Sequence, residues 1–390
     1  MSDPKTDAIT LTIAGQVFSG FLEISIDTSI DAMAAALEIK LSERFPGHPD
    51  RWVIAAGAPF TVAIGGELVA TGFIDEINPE VSATEHTPEV RGRGRTCDLV
   101  DCSALNKPGS WKNQSALKII ADLAKPFSIA VTAQGPLGAA QKAFALQQGE
   151  TVKEAIDRLV MQRGILPIET ATGDLLLASA GSAGRAAGGL RYGGNVTAAK
   201  AKHSMLERFS LYVVKGQRQG DDADNGAAVS QVSGQATDPD VPRYRPLLMI
   251  SEDQATAGSA TARAKMAATV RAGRAQQGTF TVAGYRDAAG VLWRPNTLVS
   301  VDAAIVGIEG ELLITGVKRT KGPQGSTSEI TVMRPEAFSL GAVKGGSVKK
   351  LTAGHKADKP KKRKAKKGAD LNTLRDLIGG GGTPGPGGEE

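Results

Sequence analysis

Hydrophobic spacing changes from strand-like to helix-like across one stretch, Arg91-Gly92-Arg93-Gly94-Arg95-Thr96-Cys97-Asp98-Leu99-Val100-Asp101-Cys102-Ser103-Ala104-Leu105. Before it the chain alternates with a period of two. After it, from near Ser115, apolar residues recur at helical spacing. The stretch is therefore expected to be a strand end leading into a helical region. Side chains two apart on a strand share a face, so Arg91, Arg93 and Arg95 are expected to project together. Gly92 and Gly94 would let another backbone approach closely or mark a bulge. Two readings of the arginines stand. They form an RG-type nucleic-acid motif, or they pair with neighbouring carboxylates or face a partner subunit. The second is favoured, because a lone basic strand lacks the interleaved aromatics of a nucleic-acid platform.

At 390 residues, two or three domains are expected. Aromatics make up only 4% and glycines number 47, which favours β-rich architecture with many turns. The formal charge of +5 is a property of one end. Residues 344–390 hold 12 Lys+Arg against 5 Asp+Glu, and the rest of the chain holds 34 against 36. A nearly neutral body does not resemble a nucleic-acid-binding domain. Cys97 and Cys102 are the two cysteines, and no second ligand pair flanks them, so neither zinc nor another metal is expected. So few cysteines suit assembly in a reducing cytoplasm. Met1–Lys5 lacks the apolar core of a signal peptide, and no run is long enough to span a bilayer, so no membrane insertion is expected.

Strands are predicted over Ile9–Val17, turned at Gly15-Gln16 or Ser19-Gly20, and over Phe21–Ile26. Further strands are predicted at Arg51–Ile54, Phe60–Ile64 and Leu68–Ile77, with a hairpin at Gly65-Gly66. Ser29–Leu41 reads as a short helix or an irregular segment. About six short strands argue for a small barrel or sandwich. Ser115 is the expected N-cap of a helix over 115–125, ended by Pro126. Phe127–Val131 reads as a strand. Thr151 and Glu154 form a capping box for a second helix with Val152, Ile156, Leu159 and Val160 on its buried face. Ile165–Ile168 and Asp174–Leu177 read as a hairpin. Gly181–Gly194 is a connector without the frame of a phosphate loop. Glu207–Val214 is a strand and Gly220–Pro242 a loop. Ala255–Ala272 is an Ala-rich helix with Ala262, Met266 and Val270 on one side. Strands follow at Phe280–Tyr285, Thr297–Val301, Glu311–Val317 and Glu329–Met333. Gly66-Glu67-Leu68-Val69-Ala70-Thr71-Gly72 echoes Gly310-Glu311-Leu312-Leu313-Ile314-Thr315-Gly316, late in each β block.

The expected class is α+β and β-rich, with two similar small β-barrel domains, an α/β insert between them and a disordered basic tail. The boundaries are 1–104, 105–180, 181–343 and 344–390. The tail offers Leu371, Leu374 and Leu377 on one face of a short helix over 369–378, a peptide that would order on a partner. A solvated tail without a binding role is the other reading. No catalytic arrangement emerges. His48, His86, His203 and His355 lie outside metal spacings, no GxSxG elbow exists, and Asp98, Asp101, Asp75 and Glu76 lie beside arginines. No cofactor or small-molecule substrate is expected.

Residues spread along the chain carry a family resemblance. They are Gly72-Phe73-Ile74-Asp75, the run Gly92–Ala104, Gly149-Glu150-Thr151, Arg243-Tyr244-Arg245-Pro246-Leu247, Arg263-Ala264, Val282-Ala283-Gly284-Tyr285-Arg286 and Gly290–Asn296. This ordered set, over about residues 5–340, resembles the baseplate hub proteins of Mu-like contractile-tailed phages. The resemblance implies a homotrimeric ring whose two barrels per chain adapt a three-fold central spike to a six-fold tail tube. It implies the spike protein, the tube protein and other baseplate proteins as partners, and a place in the virion tail assembled in the host cytoplasm. Two alternatives belong to other classes: a tail-associated cell-wall hydrolase using Asp98 or Asp75, and a nucleic-acid binder acting through the lysine-rich tail.

Overall fold

The structure, a computed structural model, describes residues 7–18, 21–41, 54–79, 88–160, 163–217, 232–251 and 256–338. Residues 350–390 form a separate unit outside the described residues, so the expected tail helix and Leu371, Leu374 and Leu377 lie there too.

Alternation sets the first seven strands: β1 (Ile9–Ile13), β2 (Gln16–Phe18), β3 (Phe21–Ser29), β4 (Ala36–Leu41), β5 (Pro59–Ile64), β6 (Glu67–Asn78) and β7 (Glu89–Gly94). Ile9, Leu11 and Ile13 point inward while Thr10 is exposed. Ala14 and Gly15 both take positive φ, at 48° and 81°, which gives the β1–β2 hairpin the twist of its strands. Gly65-Gly66 does the same between β5 and β6. The stretch read as helical or irregular, Ser29–Leu41, instead ends in β4, where Leu37, Ile39 and Leu41 are buried at alternate positions. Its Ala-rich start hides the period of two that follows. Of the strand expected at Arg51–Ile54, residues 51–53 lie outside the described residues.

The middle region holds α1 (Cys97–Asp101), β8 (Ser110–Gln114), α2 (Ala116–Ala124), β9 (Val131–Gln134), β10 (Gln141–Ala145), α3 (Val152–Val160), β11 (Ile165–Glu169) and β12 (Leu175–Ser179). Helical structure starts at Cys97, well before Ser115. The Ser115 side chain caps α2 by accepting from the Lys118 N–H at 3.2 Å. The capping box of α3 is reciprocal. Thr151 N–H donates to Glu154 at 2.8 Å, and Glu154 N–H donates to the Thr151 hydroxyl at 3.2 Å. The apolar faces of both helices close on Leu175 and Leu177 of β12. The strand expected from Phe127 begins at Val131, because Lys125–Phe127 adds a 3₁₀ turn and Ser128 is left-handed.

The last third holds β13 (Leu190–Arg191), β14 (Val196–His203), β15 (Leu211–Gly216), β16 (Val232–Thr237), β17 (Pro246–Ile250), α4 (Ala257–Arg274), β18 (Gln276–Ala283), β19 (Leu298–Ala303), β20 (Ile308–Gly322) and β21 (Gly325–Met333). The expected strand at Glu207 starts at Leu211. Within the expected 220–242 loop lies β16, followed by Asp238, which binds the Arg208 guanidinium at 2.7 and 2.8 Å. α4 packs on β15 and β16 through Ala260 and Ala264, not through the predicted face, and Ala262 is exposed. Small residues let the helix lie almost on the strand. A Cβ at Gly234 would fall 2.2 Å from the Thr261 nitrogen.

The α+β, β-rich class holds. The two expected barrels, however, share one hydrogen-bonded sheet. Thirteen described strands follow the order β14-β18-β21-β20-β3-β4-β7-β6-β5-β1-β2, with β13 and β19 branching from that path. The join is the antiparallel pair β3–β20, with Ser29 opposite Gly316 and Ile24 opposite Lys321. Strands β16-β15-β17 form a separate sheet covered by α4.

Gly234→Ala should push α4 off β16 and lower stability by about 1–3 kcal/mol, the range for an overpacked contact. Denaturant unfolding followed by circular dichroism measures it, and an unchanged midpoint would show that the helix does not sit on that strand.

Candidate functional site

The β7 exit is built from glycines that each keep a different space open. Gly72 lies opposite Gly94 across the β6–β7 ladder, and a Cβ on Gly72 would come within 1.9 Å of the Arg93 carbonyl oxygen. One on Gly92 would strike the Phe73 carbonyl at 2.8 Å and the Phe60 ring at 2.9 Å. One on Gly94 would lie 2.0 Å from Glu169 Oε2. The strand is thus flat where the carboxylate of a residue 75 positions later must enter.

Glu169, at the end of β11, grips that opening. Its Oε2 accepts the Ala35 N–H at 2.7 Å and its Oε1 accepts the Thr96 N–H at 3.0 Å. Thr96 in turn donates its hydroxyl to the Met33 carbonyl at 2.6 Å. The carboxylate satisfies backbone donors from two separate segments that would otherwise be buried without partners. Burial pushes the Glu169 carboxyl above its ordinary range, and the bonds from Ala35 and Thr96 only partly oppose that.

The three arginines do not act together. Arg93 donates to Asp75 at 2.5 Å and, through both terminal nitrogens, to Asp101 at 2.7 and 3.2 Å. These bonds, Asp101 first, hold Arg93 even more firmly protonated than usual, and the Asp101 carboxyl drops below the carboxylate range for the same reason. Arg91 bonds Glu89 at 3.2 Å and lies 3.9 Å from Glu76. Arg95 lies past the strand end. It turns toward the middle region, donating to the Ser128 carbonyl at 2.8 Å and covering Gly173. The sequence pattern had placed all three on one face; the turn at Arg95-Thr96 separates the last of them.

Both cysteines are free, and burial, then Asp98, pushes the Cys97 thiol up to about 12. Among the described residues, no group of three or more His, Cys, Asp and Glu is placed to hold a metal ion. No described helix is long and apolar enough to cross a membrane. Sequence reasoning missed two features. Glu169 carried no signal beyond a lone acid after the apolar run Ile165–Ile168. The second is an apolar surface on the small sheet, where edge strand β17 exposes Leu248 and Ile250, and Leu206 and Tyr244 nearby are also exposed.

Four family models match consecutive parts of the chain. They describe the N-terminal domain of Mu phage baseplate assembly protein GpP-like proteins over 8–94 and the second domain of baseplate hub protein gp44-like proteins over 96–179. The third domain of NMB1110-like tail proteins matches 208–266, and the fourth domain of GpP matches 256–341. The fold and these matches define a phage tail protein. The baseplate hub protein gp44 of Escherichia phage Mu is 34% identical over 343 residues, covering 85% of this chain and 89% of that protein. The chain belongs to the baseplate hub family of Mu-like phages. The crystal structure of a 43 kDa tail protein from prophage MuSo2 of Shewanella oneidensis is 32% identical with a TM-score of 0.76, covering 85% of this chain and all of that one. A tail protein from Neisseria meningitidis MC58 shares the fold, at 22% identity and a TM-score of 0.73, over 85% of this chain and 99% of that one.

Gly94→Val should lower stability by about 1–3 kcal/mol or more, because Glu169 must leave its two N–H partners to make room. Arg93→Ala should cost no more than about 1 kcal/mol, since its ion pairs are partly solvated. Urea unfolding of both variants tests the order, and equal losses would remove Glu169 from its role. Glu169 also predicts a pH dependence. Its folded pKa is raised, so its stabilising contribution is complete below the ordinary value of 4.5 and is lost as pH rises through the folded value. The stability difference between wild type and Glu169→Gln should shrink as pH rises from mild acid to neutrality, and a difference that grows would contradict this.

Proposed function

We propose that this hub protein is a structural ring component without catalytic activity, and that three copies close into a ring that adapts a three-fold central spike to the six-fold tail tube. The observation that carries this is internal similarity in the sheet. β5, β6 and β7 form an antiparallel meander around a central strand of 12 residues. β19, β20 and β21 form another around a strand of 15 residues. The echoed segments Gly66–Gly72 and Gly310–Gly316 run into the same central strand of each meander, and each central strand carries a bulge. Two similar units per chain, three times over, supply the six quasi-equivalent positions that a six-fold tube requires. The domain limits 1–104, 105–180 and 181–343 belong to this reading. The spike protein, the tube protein and other baseplate proteins are its partners, and assembly takes place in the host cytoplasm.

Internal charge pairing at the β7 exit supports a scaffold over an RG-type nucleic-acid motif there and over a hydrolase that uses Asp75. Asp75 and Asp101 both hold Arg93, and Arg91 holds Glu89. No role follows for Leu371, Leu374 and Leu377, which lie outside the described residues.

Light scattering coupled to size exclusion should return three times the 40.4 kDa chain mass for the protein alone, or three chain masses plus the mass of the bound spike when the spike partner is present. A monomer at every concentration under both conditions would overturn the ring.

A further inference from the structure

A cavity of about 310 Å³ lies where the first β region, the middle region and the last β region meet. That volume falls in the range of small-ligand sites. Its walls are apolar where Leu68, Val69, Ile168 and Leu292 line it, and charged at Arg319, Arg294 and Glu169.

The chemistry sits on Arg319 of β20. Its side chain is 2% exposed, yet no carboxylate among the described residues lies within ion-pair distance of it. One terminal nitrogen donates to the Thr28 hydroxyl at 3.1 Å and the other to the Trp293 carbonyl, while Nε has no acceptor. The neighbouring cation makes the position worse. Burial, then the charge of Arg294, drags the Arg319 guanidinium down to about 10. Arg294 is itself bonded to Glu67, and the Asp27 and Glu67 carboxylates act on Arg319 only from beyond ion-pair distance. Glu169 does not serve either, since its carboxylate is turned to the Ala35 and Thr96 N–H groups and lies beyond ion-pair distance of Arg319. A scaffold gains stability when such a buried charge is replaced by a well-packed apolar side chain, so the guanidinium is costly unless an anion joins it.

We propose that this cavity binds a carboxylate carried on an aliphatic body, with the carboxylate facing Arg319 and the body against Leu68, Val69 and Ile168. A carboxylate supplies the counter-charge that no ion pair within the chain gives Arg319 and matches the planar donor array of a guanidinium. The apolar walls hold the rest of the ligand. Lining residues come from three separate stretches of chain, so occupancy fastens those stretches together. The carboxylate is either a free aliphatic acid or the C-terminus of a peptide segment ending in an aliphatic residue. The site exists in a single chain and does not depend on ring closure.

Full-length protein is titrated by calorimetry and thermal shift with hexanoate, with hexanol, and with a short Leu-terminated peptide in free-acid and amidated forms. Saturable binding of hexanoate, of the free-acid peptide or of both, with hexanol and the amide inert, supports the site. The tighter of the two acids identifies the source. Arg319→Met should weaken binding at least about tenfold, the loss of a charged hydrogen bond, while leaving the ligand-free melting temperature unchanged or higher. Val69→Trp fills the cavity with Arg319 still in place and should abolish binding. Failure of both acids to bind, equal binding by hexanol, or unchanged affinity in either variant overturns the proposal.

Discussion

The ladder between β3 and β20 is the constraint on which the rest of the structure depends. It pairs Ser29 with Gly316 and runs to Ile24 opposite Lys321, so residues almost 290 positions apart become neighbours. Everything between must return to close it, which makes the α/β regions excursions from a single sheet. The cores are mixed for the same reason. Tyr285 and Leu292 lie in the cluster formed by Leu11, Ile24 and Phe60. Loop-closure entropy for such a contact grows slowly with loop length, so the ladder is stable once formed. Its non-local pairing places it late and slow in folding.

Within that frame, space and charge are set by very small residues. Gly72, Gly92 and Gly94 bring β6, β7, the Phe60 ring and the Glu169 carboxylate into contact that any Cβ would prevent. Glu169 then couples two ends of the first β region, at Ala35 and Thr96, to the last residue of β11. A carboxylate does this better than an apolar side chain because it has two oxygens for two N–H donors that no strand partner takes. Arg95 completes the attachment from the other side, reaching Ser128 over Gly173. The orientation of the middle region relative to the sheet rests on these polar contacts, on the Thr71–Ala171 and Asn296–Ser179 bonds, and on the cores around Leu99 and Met33 and around Ile30, Leu166 and Leu313.

Much of this was legible where local rules act alone. The alternating strands β1, β3, β5 and β6, the Gly65-Gly66 hairpin, and the caps at Ser115 and Thr151 follow from spacing and capping chemistry. β4 was lost because alternation begins only after an Ala-rich run. β14 was lost because one of its faces is not apolar: of eight residues only Val196 is buried. β16 lies in an Asp-, Gly- and Ser-rich stretch that reads as a loop, and its strand is held by tertiary contacts to β15 and α4. The face of α4 was misjudged because alanines and glycines carry little hydrophobic contrast. The β3–β20 ladder and the Glu169 contacts were not legible at all, since register between strands 290 residues apart is decided by the whole fold. For Arg91 and Arg93 the ion-paired reading held. Arg95 departed from it because a turn of two residues redirects its side chain.

A closed ring requires two different complementary surfaces on each copy. On the ring reading, charge at the β7 exit is a poor candidate for either, because its arginines already have carboxylates within the chain. The stronger candidates are apolar. Edge strand β17 turns Leu248 and Ile250 outward, and its outer backbone edge has no strand partner among the described residues. At one end of the large sheet, β2 is an edge that exposes Val17. Open edges of this kind invite strand pairing with another chain. The two edges belong to different sheets and carry different side chains, so they are not self-complementary. That asymmetry favours a head-to-tail contact over a two-fold dimer, and a head-to-tail contact is what ring closure needs.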